Sequence, residues 1–327
     1  MAMLDYSGLK VAVIGDFMLD IWEYGEVLRP NPEAPEIPDF VSHSYTESAG
    51  GAGYLSSLIV GLGAQCHPVT VLGDDCYRDR LVNALDADGI EIEGIYTCGK
   101  RRTTTKTRFM VDDKPIGLRW SVETHDPPCK YCTDHIIAHT CGEWFKTFNA
   151  IIFADYNKGV CSKEIIKAVM QRCKNAGVPV FVDPKFDNFW EYKGATIFKP
   201  NWKEAKAAVR GRLNLINAQV VANEIIMGLG SHVVITKGAA GLLVVKAESG
   251  VSEGFKAHDV KAVDVTGAGD AVMAVLSLEY LRNGGDIFGA AELANWAGAL
   301  AVQQHGTGKI TVKDLEVYYE QSGVSRS

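Results

Sequence analysis

A mostly parallel β-sheet layered between helices, with a small second β-sheet outside it, is the architecture this sequence predicts. Three observations predict it. Short apolar runs alternate with amphipathic stretches through most of the chain, the rhythm of repeated βα units. Glycines number 33, and many stand where a strand must turn into a helix. Two stretches, from about 21 to 45 and from about 102 to 120, instead alternate polar and apolar residues, as strands with one wet face do.

Lys10 to Ile14 is a short apolar run ending at Gly15-Asp16, a buried strand feeding a turn. Residues from Ile21 to Tyr45 carry Pro30, Pro32, Pro35 and Pro38, and proline's missing N–H confines it to exposed or edge strands. Ala49-Gly50-Gly51-Ala52-Gly53 opens a helix to about Leu62, Gly63-Ala64 ends it, and Val69 to Leu72 is the next strand. From Arg102 to Trp120, the alternation of Thr103, Thr105, Thr107, Phe109 and Val111 turns at Asp112-Asp113 and returns through Ile116 and Leu118. That is a hairpin, able to pair with the proline-bearing strands.

Beyond it, Ala150 to Phe153 is a strand, Ser162 to Ala176 a helix, and Val178 to Val182 a strand ending in Asp183-Pro184-Lys185. Ala195 to Phe198 ends in Pro200-Asn201, and a helix follows from Trp202 to Val209. Val233 to Thr236 ends in Lys237-Gly238, with an edge hairpin through Leu242 to Lys246. Thr266 to Tyr280 and Ala290 to Gln304 are helices. Ligands gather at the carboxyl ends of the strands in such a sheet. Asp16, Asp155, Asp183, Asn201 and Lys237 all fall there.

With 327 residues, 47% of them hydrophobic and 22% charged, the chain suits one large α/β domain. A net charge of −7 without a basic cluster argues against nucleic-acid binding, yet allows a phosphate ligand held by backbone N–H groups and a few lysines. Met1 to Lys10 has no apolar signal stretch, and no window approaches the roughly 18 apolar residues of a membrane helix. Eight cysteines in a chain this long do not resemble a disulfide scaffold, so a reducing cytoplasm is expected. Among His125, Cys129, Cys132, His135, His139 and Cys141, the Cys129/Cys132 pair has zinc-like spacing, but no second CxxC or HxxxH follows at finger distance. The stretch after Cys132 reads as one amphipathic helix, with Ile136, Ile137, Trp144, Phe145 and Phe148 inward and His135 and His139 outward. The thiols are therefore expected to be incidental to a helix start.

The sharpest feature is Asp264-Val265-Thr266-Gly267-Ala268-Gly269-Asp270 ahead of an apolar helix. Glycines let backbone N–H groups approach a ligand, and the helix N-terminus adds a positive dipole end, so the loop is an anion hole. An aspartate at its far end is placed to take the proton of an attacking hydroxyl.

This string resembles the second signature of the ribokinase (PfkB) family of carbohydrate kinases, and the resemblance extends over nearly the whole chain. It implies a ribokinase-like three-layer sandwich spanning 1–327 as a single domain, with lid segments at approximately 21–46 and 101–121. It implies Asp270 as catalytic base, Gly267, Ala268 and Gly269 as the anion hole, and Asp264 and Thr266 around a monovalent cation such as potassium. Gly50-Gly51 resembles the family's sugar-closing di-glycine, and Asp20 its sugar-binding aspartate. Asn201-Trp202-Lys203-Glu204 resembles the N-x-x-E motif, whose Asn201 and Glu204 organise Mg2+ and phosphates through water. Thr236, Lys237, Gly238, Thr266, Asn295 and His305 fall where the family holds ATP. The lid implies a homodimer.

Within the family, Gly15 to Asp20, Asn31-Pro32-Glu33-Ala34-Pro35, Thr105 to Arg108, Asp155 to Gly159 and Asp183-Pro184-Lys185 resemble the kinases acting on D-glycero-D-manno-heptose 7-phosphate. Their substrate already carries a phosphate, which suits the basic residues Lys106, Arg108, Lys158 and Lys185, because a dianion favours charge-assisted donors; the resemblance adds Asp183 to the substrate-binding residues. Three positions depart from the pattern: Tyr54 for the usual asparagine, Asn157 for a glycine and Asn31 for a serine. Bifunctional members carry a nucleotidyltransferase domain after the kinase; with the sequence ending at Ser327, such an activity is expected on another chain. The alternatives are a kinase of the family for another sugar or a nucleoside, and a non-catalytic sugar-phosphate-binding protein of the same fold. Gly15-Asp16-Phe17 lacks the G-x-G-x-x-G fingerprint, which argues against an NAD-binding oxidoreductase.

Overall fold

Alternate side chains of the first strand feed two different cores. In β1 (Lys10–Gly15), Val11 and Val13 pack into one and Ala12 and Ile14 into the other. A strand buried on both faces reads as a continuous apolar run for this reason. The computed structural model describes residues 4–31, 33, 36, 38–140, 142–209, 217–304 and 306–322.

After β1 the chain forms β2 (Phe17–Pro30), β3 (Pro38–Gly51), α1 (Ala52–Gly61), β4 (Gln65–Gly73), α2 (Cys76–Ala87), β5 (Ile95–Cys98), β6 (Thr104–Val111) and β7 (Lys114–Val122). Then follow α3 (Lys130–His139), β8 (Ala150–Ala154), α4 (Lys163–Ala176), β9 (Val180–Asp183), β10 (Ile197–Phe198), α5 (Trp202–Ala208) and α6 (Ala218–Leu229). The last elements are β11 (His232–Thr236), β12 (Leu242–Val245), β13 (Ser252–Phe255), α7 (Ala268–Arg282), α8 (Ile287–Ala301) and α9 (Val312–Ser322).

The large sheet has the order β13-β12-β11-β10-β9-β8-β1-β4-β5. It is parallel from β11 to β5, with β12 and β13 added antiparallel at one edge. Helices α1, α7 and α8 cover one face and α3, α4 and α6 the other. This is the three-layer α/β sandwich the sequence predicts. The second sheet, β3-β2-β6-β7, joins the proline-bearing strands to the hairpin, with Asp112 and Asp113 both left-handed at its turn. No described helix is long and apolar enough to cross a membrane.

Two sequence readings need correction. The helix read through Phe148 is two pieces: α3, then a 3-10 turn at Gly142–Thr147. His139 consequently turns inward, 4.7 Å from Trp144 and 5.2 Å from His67 between ring centroids, rather than outward. Cys141 lies outside the described residues. The sequence also gives little sign of α2, whose run of polar residues buries only Leu81 and Leu85, one i,i+4 pair.

Candidate active site

The site is assembled at the carboxyl ends of β1, β8, β9 and β11, below the small sheet. Its organiser is Asp16, one residue past β1. Its Oδ2 accepts the N–H groups of Tyr156 (2.8 Å) and Lys158 (3.0 Å), and its Oδ1 that of Val160 (2.9 Å). Three backbone donors on one buried carboxylate fix the loop after β8. Asp155 fixes the other side of this loop, accepting from Asn157, Asn188 and Tyr192. Burial, reinforced by the charge of Asp16, pushes Asp155 up to about 6. Asn157 is left-handed at φ 55°, a conformation asparagine tolerates better than most residues. That accounts for asparagine standing where the family pattern has glycine.

On the lid side, β2 places Asp20 beside Lys106 of β6, and Arg108 Nη1 donates to Asp20 Oδ1 at 3.1 Å. Gly50 has to be small: a Cβ there would lie 2.2 Å from Asp20 Oδ2. Gly51 is left-handed at φ 57°, and its Cβ would meet the Asp16 carbonyl at 2.8 Å. Burial holds Lys106 below its ordinary range, with Asp20 opposing and Lys158 adding to the effect. Lys158 itself pairs with Glu123 at 2.7 Å. Two cations approach the Tyr156 ring, Lys106 Nζ at 5.9 Å and Lys185 Nζ at 5.5 Å from its centroid.

The glycine loop sits across from this group. Gly267 is left-handed at φ 76° and starts α7, whose first N–H groups have no partner within the helix. A Cβ on Gly267 would strike the Tyr54 ring at 2.3 Å, and the Tyr54 hydroxyl donates to the Gly308 carbonyl at 2.7 Å. Tyr54 therefore buttresses the loop from below. Asp264 braces its start, accepting from Thr266 N (2.9 Å), Thr266 Oγ1 (2.7 Å) and Gly306 N (3.1 Å). Burial opposes the Asp264 charge, but these donors together outweigh it and hold the carboxyl below its usual range.

Asp270 stands in the first turn of α7, buried, with the Tyr156 hydroxyl donating to its Oδ1. Burial first, then the neighbouring Asp183 charge, pushes it up to about 7, against the pull of Tyr156, Lys199 and Lys185. A carboxyl poised there takes up a proton readily near neutral pH. Lys199, almost fully buried, pairs with Asp183 at 3.0 Å. Its Nζ comes within 3.8 Å of where a Gly269 Cβ would be.

On the far side of the loop is a cavity of about 640 Å³, lined mainly by apolar side chains such as Val265, Val272 and Val302. Of the residues expected around ATP and its phosphates, Asn201, Thr236, Gly238 and Asn295 line this cavity and Lys237 does not. Thr266 is turned to Asp264 instead, and His305 lies outside the described residues. Asn201 and Glu204 form a capping box at α5 (Asn201 Oδ1 accepts Glu204 N, Glu204 Oε2 accepts Asn201 N, each 2.9 Å), and Glu204 also receives Lys185 Nζ. Carboxylates around Lys185 (Asp183, Glu204 and Asp270) outweigh its burial and keep it firmly protonated.

Two functional candidates lay outside the sequence reading. Tyr156 was visible only as part of a string, and its reach to Asp270 spans 114 residues. Lys199 did carry a signal, a lone cation ending the apolar run Ala195 to Phe198.

A glycine loop at a helix N-terminus, a buried carboxyl pushed up to about 7 and a cavity of about 640 Å³, on a mostly parallel α/β sheet, are the features of a small-molecule kinase. The chain belongs to the pfkB family of carbohydrate kinases, whose profile matches residues 9–314. It is 35% identical over 321 residues to the bifunctional protein HldE of Mesorhizobium japonicum, covering 96% of this chain and 62% of that protein. The chain thus spans a little under two thirds of such a relative. It also resembles a putative ribokinase II of Escherichia coli in complex with ATP and Mg2+, at a TM-score of 0.72 and 18% identity, over 96% of this chain and 99% of that one. Phosphofructokinase-2 of Escherichia coli in complex with potassium aligns at 0.77 and 17% identity, over 97% and 99%.

Proposed function

We propose that this carbohydrate kinase transfers the γ-phosphoryl group of ATP to the anomeric hydroxyl of a heptose 7-phosphate. The observation that carries the proposal is Asp270: a buried carboxyl bonded to Tyr156, one residue past Gly269 of the cavity wall. In this reading the sugar lies under the small sheet, held by Asp20 over Gly50 and Gly51. Lys106 and Arg108, with Lys158 and Lys185 nearby, answer the phosphate it already carries. The adenosine lies in the 640 Å³ cavity near Thr236, Gly238 and Asn295, and the transferring group lies at Gly267 to Gly269.

Asp270 takes the proton of the attacking hydroxyl, which displaces Tyr156 from Oδ1. Lys199, and the N–H groups at the start of α7, meet charge as it develops on the moving phosphoryl oxygens. Both carboxylate oxygens of Glu204 are already engaged, so the residues fit Mg2+ held through water rather than by direct ligation. Held there through water by Asn201 and Glu204, Mg2+ would neutralise phosphate charge. Asp264 already accepts three hydrogen bonds, so it braces the loop first and lends a monovalent cation only its remaining lone pair.

We read residues 1–327 as one kinase unit with lid segments near 21–46 and 101–121. Leu118 and Trp120 stand more than half exposed on that lid, at 59% and 58%, which supports a homodimer formed through it. The test is an ATP turnover assay across sugars and sugar phosphates. Heptose 7-phosphate should give the highest kcat/KM; faster turnover of an unphosphorylated sugar or a nucleoside would refute the substrate.

A further inference from the structure

The fold adds a third thiol to the Cys129/Cys132 pair. Cys98, the last residue of β5, brings its sulfur to the start of α3, and the Sγ atoms of Cys98, Cys129 and Cys132 all lie within 4.8 Å of one another. Cys129 and Cys132 are 3.5 Å apart. A zinc–thiolate bond is about 2.3 Å, so two sulfurs of a tetrahedral site stand about 3.8 Å apart. The cluster is therefore within about 1 Å of that geometry before any ion arrives. A dithiol that cycles to a disulfide uses two sulfurs and has no need of a third; three converging sulfurs suit a soft cation.

We propose that Cys98, Cys129 and Cys132 bind one Zn2+ ion, which clamps the base of the lid hairpin. The placement supports this function. β6 and β7 leave the body after Cys98 and return before Cys129, so the three thiols bracket the hairpin that carries Lys106 and Arg108. Among the described residues no further His, Cys, Asp or Glu joins the group. Cys98 and Cys132 are buried while Cys129 is only half-buried, so the fourth position opens towards solvent and takes water. Three thiolates on Zn2+ leave one net negative charge. The neighbouring Arg101 guanidinium is suited to balance it: it is largely buried next to Cys98 and Cys132, and its Nε and Nη1 find no partner in the protein. Its Nη2 donates to the Lys158 carbonyl, so the same side chain ties the cluster to the substrate loop.

The experiment titrates the reduced, metal-stripped full chain with Co2+ and Zn2+ alone, and follows hydrogen exchange. One Co2+ per chain should bind with thiolate-to-metal charge transfer and tetrahedral d–d absorption, and Zn2+ should displace it. Cys98→Ser should weaken binding at least tenfold, while Cys76→Ser, at an exposed cysteine outside the cluster, should leave it unchanged. Zn2+ should slow amide exchange in residues 104–122 of the wild type and not of Cys98→Ser. If the wild type takes up no stoichiometric Co2+, or Cys98→Ser binds it as tightly, the site is refuted. A Cys129–Cys132 disulfide in protein purified without reductant, together with no Co2+ uptake after reduction, refutes it equally. Binding without slower exchange in 104–122 overturns the clamp.

Discussion

The two sides of the glycine loop are built from opposite materials. On the lid side, Asp20, Lys106, Arg108, Tyr156, Lys158 and Lys185 crowd together, and most of their charges are already paired within the protein. On the other side is a roomy cavity walled by aliphatic side chains and glycine. The difference teaches how one cleft handles two anionic ligands. In the proposed function the cavity takes a flat ring by shape and leaves phosphate charge to backbone N–H groups. In the same proposal the lid side meets charge with side chains that exchange internal partners for substrate, which would confer selectivity at the cost of breaking existing pairs.

Asp270 directly follows Gly269 of the cavity wall and meets Tyr156 on the lid side, so its loss should have the largest effect. Asp270→Asn should lower kcat by about 10²- to 10⁴-fold while leaving ATP and sugar binding nearly intact, measured by steady-state kinetics and calorimetry. Next come the lid cations. Lys106→Ala and Arg108→Ala should each raise the KM of a phosphorylated sugar roughly 10- to 100-fold, the worth of a charge-assisted hydrogen bond, with the KM of ATP unmoved. Equal effects on both substrates would erase the division between the two sides. Gly50→Ala, which displaces the Asp20 carboxylate, should raise sugar KM about tenfold in the same assay. Tyr54→Phe should do least: losing the bond to Gly308 costs about 1 kcal/mol, read as a small fall in the urea midpoint.

Legibility in the sequence follows the same division. The glycine loop and its carboxylate were readable because Asp264 to Asp270 is contiguous, so local geometry determines the chemistry. The alternating strands were readable because one face of each is wet. The pairing of Tyr156 with Asp270 and the meeting of Cys98 with Cys129 were not, because they depend on which strands lie side by side. Tyr54 illustrates the limit of comparing positions. By position it is only a departure from the family's asparagine, whereas in the fold its hydroxyl is bonded and its ring lies against Gly267. His139 differs from the sequence expectation for a related reason: one helical period does not extend from α3, which ends at His139, into the 3-10 turn at Gly142–Thr147.

The raised Asp270 carboxyl also links activity to stability. Its neutral form is favoured in the folded state, so its contribution is fully present below the ordinary aspartate value of 3.8 and is lost as pH rises through about 7. Asp270→Asn should therefore melt above the wild type at pH 8, with the gap closing towards pH 4.

The most direct test of Asp270 as base is the pH dependence of kcat/KM for the phosphorylated sugar. The account predicts a rise through about pH 7 in the wild type, as the free carboxyl loses its proton, and no such rise in the residual activity of Asp270→Asn. A wild-type profile that stays flat between about pH 6 and 8, or the same rise in the variant, would contradict it.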